Sequence, residues 1–266
     1  MSPGRRRTLS VKKGLLSLFL VSILGVGALS AGPVLILDYH TFLGTKTSTL
    51  DYSDQVMGQQ LDRMAALGFK FATLPDAIAG KTGPDLSIVL TIDDGNHSIF
   101  QALHKVFEPR HLKPFLFIYP HAIDRSRFTI TSARVHELEK EGFLFGAHGY
   151  YHLPMTEHAW STDPEQVRHE ALWPAEPLTK ILGYRPTMFA YPYGLAPEAV
   201  QKLVLSAGYT WAFGADDKIV PVDFSDPHLL HGYVPRTIVY HWNLPTLMRY
   251  LEHYASEHHL TPHGAS

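Results

Sequence analysis

Two kinds of hydrophobic pattern alternate along the chain after residue 31. Short continuous apolar runs, such as 34–39 and 87–92, have the length and composition of buried strands. Longer segments between them, such as 53–67, repeat their apolar residues at helical spacing. The pattern predicts strands at 34–39, 69–73, 87–92, 114–118, 143–147, 188–191, 210–214 and 234–240, and helices at 53–67, 98–108, 131–141, 163–182, 196–207 and 245–258.

Repeated strand–helix units of this kind favour an α/β fold with a parallel sheet, closed as a barrel or left open. No internal repeat, low-complexity tract or linker is visible after residue 31, so we expect one domain over residues 32–266. Within the helix predicted at 163–182, Pro174 and Pro177 should cause a break or a bend, and Gly183 should end it.

The N-terminus has the charge order of a secretory signal. Arginines and lysines precede the uncharged apolar run 14–31, and the small residues Ala28 and Ser30 suit cleavage after Ser30. The same run is almost long enough to stay in a bilayer as an anchor. We therefore expect residues 1–31 to be a signal peptide or an N-terminal membrane anchor. The protein should be exported to the periplasm, cell envelope or extracellular space, with membrane contact only if this segment is uncleaved.

Composition narrows the classes of function. Hydrophobic residues at 45% and charged residues at 18% suit a globular protein of 266 residues. The net charge of -2 and the lack of a basic stripe after the N-terminus give no reason to expect a nucleic-acid partner. The absence of cysteine excludes disulfides, thiolate metal sites and a cysteine nucleophile.

Two adjacent carboxylates, Asp93 and Asp94, directly follow the apolar run 87–92. Neighbouring carboxylates repel each other, so folding alone does not favour this arrangement. A divalent cation would relieve the repulsion by binding one carboxylate and leaving the other as a base. The alternative is a simple turn, because aspartate and glycine are common turn residues and Gly95 comes next.

A second cluster follows another predicted strand. His148 and His152 are four residues apart, so one helical turn would place both imidazoles on the same side as ligands for zinc or a similar metal. With 17 histidines in the chain, a chance pair is the alternative. The aspartate pair, the histidine pair, Tyr193 and His40 all come just after predicted strands. In a barrel, such strand ends meet at one rim.

Three motifs in this order resemble the polysaccharide deacetylases of the NodB-homology type, carbohydrate esterase family four. Residues 91–95, Thr-Ile-Asp-Asp-Gly, are similar to the family's Thr-Phe-Asp-Asp-Gly signature, and residues 148–152 resemble its His-x-x-x-His metal motif. Residues 189–194, Phe-Ala-Tyr-Pro-Tyr-Gly, resemble the third motif of the branch that deacetylates poly-β-1,6-N-acetylglucosamine. The resemblance covers about residues 34–240 and implies a single-domain, distorted (β/α) barrel.

The resemblance also implies a cofactor, a substrate and a set of roles. Asp94, His148 and His152 would hold a divalent metal, most often zinc, with cobalt, nickel or manganese as alternatives. Asp93 would be the base that activates water, and the backbone N–H of Tyr193 would stabilise the oxyanion. The substrate would be an N-acetylated polysaccharide, from which the enzyme releases acetate.

Two departures from the family pattern bear on catalysis. The wider family takes a catalytic histidine from a late Leu-x-His motif, but residues 234–238 contain no histidine. The Tyr-His pair that ends the first strand of the similar branch instead implies that His40 is the acid, with a core histidine as the alternative. Ala190 stands where the family has an arginine that pairs with the base. Arg236 could replace that arginine or form a structural salt bridge.

Aromatic residues near the motifs could stack on sugar rings, although each alone is more often a packing residue: Tyr150, Tyr151, Tyr191, Tyr193 and Trp242. Two other functions stay open from the sequence. The same ligands would suit a different metal-dependent amidase, esterase or peptidase, and a carbohydrate-binding protein without catalysis could share the fold. Retention of Asp93, which binding would not need, favours an enzyme.

Overall fold

The protein is described by a computed structural model that covers Met1 and residues 31–45 and 48–262. The signal peptide or anchor predicted at 1–31 lies outside the described residues, apart from its two end residues. No helix in the described part is long and apolar enough to cross a membrane. The described chain alternates between strands and helices, as the hydrophobic pattern predicts.

The strands of the described part are β1 (Val34–Tyr39), β2 (Lys70–Ala72), β3 (Ser87–Ile92), β4 (Phe115–Ile118), β5 (Phe145–Ala147), β6 (Met188–Ala190), β7 (Trp211–Phe213) and β8 (Thr237–Ile238). The helices are α1 (Asp54–Ala66), α2 (Leu74–Ile78), α3 (Ser98–Ala102), α4 (Ser132–Lys140), α5 (Glu157–Thr162), α6 (Pro164–Leu172), α7 (Ala175–Leu182), α8 (Glu198–Ser206) and α9 (Leu244–Glu257).

These strands form one parallel sheet in the order β7-β6-β5-β4-β3-β1-β8, while β2 pairs with the first half of β3. The sheet curls until its two ends approach each other. Isolated parallel bridges join Phe213 to Val234 and Asp216 to Thr237, so the chain after β7 reaches the chain that enters β8. The result is the distorted (β/α) barrel that the sequence predicts.

Hydrophobic residues fill both sides of the sheet. Alternate residues of β1 divide between them: Val34 and Ile36 face the barrel interior, and Leu35 and Leu37 pack against the outer helices. The interior also contains Val89, Phe115, Phe117, Ala190, Phe213 and Val234. Because both faces are covered, the strands read as continuous apolar runs rather than as alternating ones.

Polar residues replace apolar ones where the inward-facing positions reach the carboxyl ends of the strands. On β1 the series Val34, Ile36 continues to Asp38, and on β3 it continues through Thr91 to Asp93, which directly follows the strand. All three polar side chains are buried. The barrel is therefore apolar along most of its axis and charged at one end, where the candidate site lies.

Several predicted elements differ from the observed ones. The helix predicted at 163–182 is split into α6 and α7 just before Pro174, as the prolines indicate. The strand predicted at 234–240 shrinks to β8, since Pro235 lacks the N–H that a strand ladder requires. The helix predicted at 98–108 begins as α3 but continues as a π-helical turn at Leu103–Phe107 and a 3-10 turn at Glu108–Arg110. Helices α2 and α5 were not predicted.

Close packing in the barrel interior predicts a large effect for one small substitution. A Cβ at Gly146 in β5 would lie 2.5 Å from the Phe117 ring and 2.8 Å from the carbonyl oxygen of Met188. Gly146→Ala should therefore lower the free energy of unfolding by about 1–3 kcal/mol or more in urea denaturation. Gly83→Ala is the matched control, since its Cβ would meet only Lys70 Nζ, at 3.7 Å. Equal stability of both variants would contradict this packing.

Candidate active site

A cleft of about 230 Å³ opens at the carboxyl ends of the strands. It collects side chains that follow four different strands, as expected for the rim of a (β/α) barrel. The structure brings all six predicted site residues to this cleft: His40, Asp93, Asp94, His148, His152 and Tyr193. Asp38, Leu50, Tyr191, Gly194, Ala215, Ile238 and Tyr240 complete its lining. The site residues are thus neighbours in space, although they span more than half of the sequence.

Asp94, His148 and His152 converge on one point. Asp94 Oδ1 lies 3.3 Å from His148 Nε2 and 3.0 Å from His152 Nε2. Burial alone would raise the pKa of Asp94, but the two imidazoles hold it well below its usual value. Oδ1 is itself buried and has no well-aligned hydrogen-bond donor. One carboxylate oxygen and two ring nitrogens therefore share a space of the size and donor type that zinc and similar cations bind.

The orientation of His148 is set by its other ring nitrogen. Its Nδ1 lies 2.9 Å from the carbonyl oxygen of Ala190 in β6. A carbonyl only accepts, so Nδ1 carries the proton and Nε2 points at Asp94 with a free lone pair when the ring is neutral. This is the arrangement of a histidine whose tautomer is fixed for metal binding by an outer partner.

The backbone between the two histidines is not the predicted helical turn. Residues 148–152 form an irregular loop after β5, with left-handed φ values of 70° at Gly149 and 65° at His152. Asp94 is also left-handed, with φ at 71°. The two imidazoles do lie together, with ring centroids 4.8 Å apart, but bends in the backbone rather than helical spacing bring them there.

Glu170 holds this loop from behind, and sequence reasoning did not find it. The side chain projects from α6, is completely buried, and accepts hydrogen bonds from the backbone N–H groups of Tyr150, Tyr151 and His152 at 2.8, 3.0 and 3.1 Å. Burial raises the pKa of Glu170, and the backbone donors oppose that effect. The available sequence signal is weak, because a single glutamate in an amphipathic helix resembles a surface residue.

Asp93 is paired with Arg236, although its Oδ2 also lies 3.7 Å from His148 Nε2. The guanidinium donates to both carboxylate oxygens, at 2.8 Å to Oδ1 and 2.6 Å to Oδ2, and a further donor bond reaches the Thr91 hydroxyl. Burial favours the protonated form of Asp93, but Arg236 and then His148 reverse this and lower its pKa. Asp93 is therefore ionised at neutral pH. Both roles considered for Arg236 are present, since it pairs with the proposed base and is also a buried salt bridge.

Asp38 is a third buried carboxylate that sequence reasoning missed. It lies 3.5 Å from Arg236 Nη2, and its Oδ1 has no hydrogen-bond partner among the described residues. Burial raises the pKa of Asp38 to about 7, although Arg236 acts in the opposite direction. A lone charged residue inside the apolar run 34–39 was the available signal.

His40 stands at the end of β1, next to these carboxylates. One ring nitrogen of His40, one oxygen of Asp38 and one oxygen of Asp93 all lie within 4.8 Å of one another. The Nδ1 atom is buried and has no hydrogen-bond partner among the described residues. His40 is therefore not a satisfied core histidine: a ring nitrogen is available beside Asp38 and Asp93 and within the cleft.

Two later histidines at Leu-x-His spacing require a correction to the sequence-based argument. Residues 229–231 and 251–253 have this spacing, although no histidine occurs at 234–238. The structure places both outside the cleft lining: His231 stacks on Trp211, and His253 pairs with Glu257 on the surface of α9. Their positions leave His40 as the cleft histidine that is not part of the convergent cluster.

The five aromatic residues proposed for sugar contact divide into three groups. Tyr191 is buried and donates its hydroxyl to the carbonyl of Gly232, so it is a packing residue. Tyr193 and Trp242 are 59% and 58% exposed, and Tyr193 lies over the His152 ring with centroids 4.9 Å apart. Tyr150 and Tyr151 remain on the loop surface and contact Trp173, an exposed indole that sequence reasoning did not include.

Buried carboxylates and histidines at the carboxyl ends of parallel strands are the arrangement found in the active sites of (β/α)-barrel enzymes. The sequence model of the polysaccharide deacetylase family matches residues 80–212 of the 266. The chain therefore belongs to the polysaccharide deacetylase family. The matched segment contains Asp93, Asp94, His148, His152 and Tyr193. His40, Asp38 and Arg236 lie outside it. The sequence already suggested His40 and Arg236, and the structure places His40 in the cleft and Arg236 against Asp93, and adds Asp38.

Solved structures share this fold over most of their length. IcaB from Ammonifex degensii has 21% identity and a TM-score of 0.71, covering 84% of this chain and 98% of its own. A de-N-acetylase from Aggregatibacter actinomycetemcomitans has 15% identity and a TM-score of 0.69, covering 82% and 99%. The deacetylase PplD from Streptococcus pyogenes, in complex with acetate, has 17% identity and a TM-score of 0.68, covering 82% and 99%. No curated protein matches the sequence significantly. These likenesses establish the NodB-type barrel.

The buried charges predict a stability effect that depends on pH. Arg236→Met would leave Asp38 and Asp93 buried without their shared cation, and should lower the free energy of unfolding by about 3–5 kcal/mol at pH 8. Without Arg236, burial raises the pKa of both carboxyls above the unfolded values, so the loss should shrink as pH falls and they take up protons. Urea denaturation at pH 8 and pH 5 measures this. Arg249→Met, on the exposed face of α9, is the control, and an equal loss at both pH values would contradict the interpretation.

Proposed function

We propose that this protein removes N-acetyl groups from a polysaccharide that contains N-acetylglucosamine, by metal-dependent hydrolysis that releases acetate. One observation carries the proposal. The adjacent residues Asp93 and Asp94 have different main partners in one cleft: Arg236 binds both oxygens of the first, and two imidazoles converge on one oxygen of the second, although His148 also lies 3.7 Å from Asp93. This arrangement provides a base beside a cation ligand, which is the division of labour that metal-dependent amide hydrolysis uses.

The residues fit a divalent metal. Asp94, His148 and His152 would hold it through one oxygen and two nitrogens, a donor set that suits zinc, and also cobalt, nickel or manganese. The buried, poorly satisfied Oδ1 of Asp94 and the fixed tautomer of His148 support this assignment. When bound, such a metal polarises the acetamide carbonyl and makes a water molecule more acidic.

The chain's own groups would perform the proton transfers. Asp93, kept ionised by Arg236, accepts the proton of the attacking water. The backbone N–H of Tyr193, at the rim of the cleft, donates to the oxyanion that develops on the former carbonyl oxygen. His40, on the β1 side of the cleft, donates a proton to the sugar nitrogen as the C–N bond breaks. The products are acetate and a free amino sugar.

The substrate class is supported by the family and by the surface of the cleft. The family acts on acetylated polysaccharides, and two of the solved neighbours are described as a de-N-acetylase and as a deacetylase in complex with acetate. Tyr193 at the rim of the cleft, and Trp242, which stacks on the cleft residue Tyr240, offer flat, exposed apolar surfaces of the kind that sugar rings contact. A β-1,6 linkage of the glycan is proposed only because residues 189–194 resemble the third motif of the poly-β-1,6-N-acetylglucosamine branch.

One assay distinguishes the proposed function from two alternatives. Acetate release from N-acetylated oligosaccharides, compared with release from acetylated peptides and simple acetate esters, distinguishes this activity from another amidase, esterase or peptidase. Binding of the oligosaccharides without any acetate release, at saturating metal, would instead indicate a carbohydrate-binding protein. The presence of Asp93, an ionised carboxylate that carbohydrate binding alone would not need, argues against the latter.

The two adjacent aspartates should respond differently to the same substitution. Asp94→Asn should weaken metal binding by about 100-fold or more, because even the outer partners of metal ligands contribute 10–100-fold. Asp93→Asn should retain the metal and lose about 10²–10⁴-fold in turnover as the base is removed. A chelator competition titration and an acetate-release assay on each variant measure the two effects, with the exposed Asp85→Asn as control. Near wild-type turnover in Asp93→Asn would refute the assignment of the base.

The proposed acid predicts a dependence on the leaving group. His40→Ala should bind metal normally and lose about 100-fold or more in the rate of amide hydrolysis, while activated acetate esters, whose leaving groups need no proton, should be affected much less. His136→Ala, on the exposed face of α4, is the matched control. An equal loss on amides and esters, or loss of the metal, would make His40 a structural residue or a ligand instead.

We also propose export of the protein to the periplasm, cell envelope or extracellular space. The charged and then apolar order of residues 1–31 supports it. Cell fractionation, followed by N-terminal sequencing of the recovered protein, tests both export and cleavage after Ser30. Recovery of the full-length protein from the cytosolic fraction alone would exclude this proposal.

A further inference from the structure

The loop that carries the histidine pair is attached to a carboxylate from outside the barrel rim. Glu170 on α6 is completely buried and accepts hydrogen bonds from three consecutive backbone N–H groups, those of Tyr150, Tyr151 and His152. No lysine, arginine or histidine side chain pairs with Glu170 among the described residues. Its negative charge is therefore compensated by the loop backbone itself.

Burial of the Glu170 carboxylate destabilises the protein unless all of its hydrogen-bond donors are in place. A buried carboxylate that lacks a cation loses several kcal/mol of hydration, and only convergent donors offset that loss. Three successive N–H groups pointing into one concavity form an anion-binding site of the kind known as a nest. The loop must keep its bent path to present all three donors together, so the carboxylate and the loop conformation stabilise each other.

The shape of the loop at Gly149 is matched to this carboxylate. Gly149 adopts φ of 70°, and a Cβ at this position would lie 2.3 Å from Glu170 Oε2. A side chain there would displace the carboxylate or the loop. The residue directly after the first histidine therefore has to be small for Glu170 to reach the backbone of the second.

The ring of His152 depends on that backbone. His152 has φ of 65°, an uncommon conformation for a residue with a side chain, and its N–H donates to Glu170 while its Nε2 lies 3.0 Å from Asp94. His148 already has its own anchor in the Ala190 carbonyl. In contrast, no hydrogen bond to the His152 ring other than the contact with Asp94 is seen among the described residues. The rings of Tyr119, His148 and Tyr193 pack against the His152 ring, while the hydrogen bond that anchors the residue to α6 comes from its main chain.

We propose that Glu170 is a positioning residue of the metal centre, which holds the 148–152 loop in its ligand geometry before the metal binds. The inference rests on the proposed function, since it assumes that His148 and His152 are metal ligands. Because the strained φ values are held in place in advance, metal binding does not have to order the loop. Glu170 on α6 therefore contributes part of the free energy of metal binding at this site.

The test compares metal affinity across variants of the full-length protein. Glu170→Gln keeps the shape of the side chain but replaces one acceptor oxygen with an NH₂ group that faces backbone donors. It should weaken zinc binding about 10–100-fold in a chelator competition titration. Gly149→Ala disturbs the same contact from the other side and should weaken binding similarly. Glu165→Gln, on the exposed part of the same helix, should leave it unchanged.

Other readouts separate positioning from general stability. At saturating zinc, Glu170→Gln should recover most of its turnover with an unchanged KM, because no group that contacts substrate is altered. In the metal-free wild type, hydrogen exchange of the Tyr150, Tyr151 and His152 amides should already be slow, a measurement that needs no variant to fold. Fast exchange of these amides in the metal-free wild type would overturn this inference but not the proposed function. The same holds if Glu170→Gln is less stable yet binds zinc as tightly as the wild type. Failure of the wild type to bind any divalent metal would overturn the proposed function as well.

Discussion

The buried pairing of Arg236 with Asp93 is the interaction on which the rest of the site depends. It connects the last strand region to the end of β3 across the barrel interior, and Asp38 adds β1 to the same network. The guanidinium also lies over the Phe117 ring, 5.1 Å from its centroid, so the charges begin directly above the apolar interior. In such surroundings an unpaired carboxylate would be protonated or would destabilise the fold by several kcal/mol. The pairing permits an ionised carboxylate to exist at this depth.

The difference between Asp93 and Asp94 then follows from backbone geometry. Asp93 is the next inward-facing position after Thr91, so it points down the barrel axis toward Arg236. The chain turns at Asp94, whose φ of 71° swings its carboxylate out of the strand direction and toward the two histidines. Two identical side chains thus reach different partners within one residue. Gly95, also left-handed with φ of 71°, allows the chain to leave the rim immediately afterwards.

The sequence was sufficient for the parts of the structure that depend on local pattern. Strands β1 and β3 have the predicted bounds because they are apolar on both faces, and the split before Pro174 follows from proline chemistry. The six site residues could be grouped because each follows a strand of a parallel barrel. Local pattern could not show what happens between distant segments. The Arg236 pairing spans 143 positions, and the Glu170 contacts reach the loop from a separate helix.

The histidine loop shows why spacing alone was not enough. Four-residue spacing is compatible with a helical turn, yet β5 ends at Ala147 and the next residue is already a site residue. A helix beginning there would have needed its own N-terminal partners for four N–H groups. In the structure no helix forms at this point. Three N–H groups of an irregular loop donate instead to Glu170, so a tertiary contact satisfies the backbone where regular secondary structure would otherwise do so.

The charges in the cleft also bear on how a cation would bind. Asp38 and Asp93 share one guanidinium, whereas Asp94 faces the two imidazoles. Burial lowers the pKa of His148, but Asp93 and Asp94 more than reverse this and raise it. Under the proposed function, proton and metal compete for the same Nε2 atom. The carboxylates that would attract a divalent cation to the cleft therefore also make the His148 imidazole more basic.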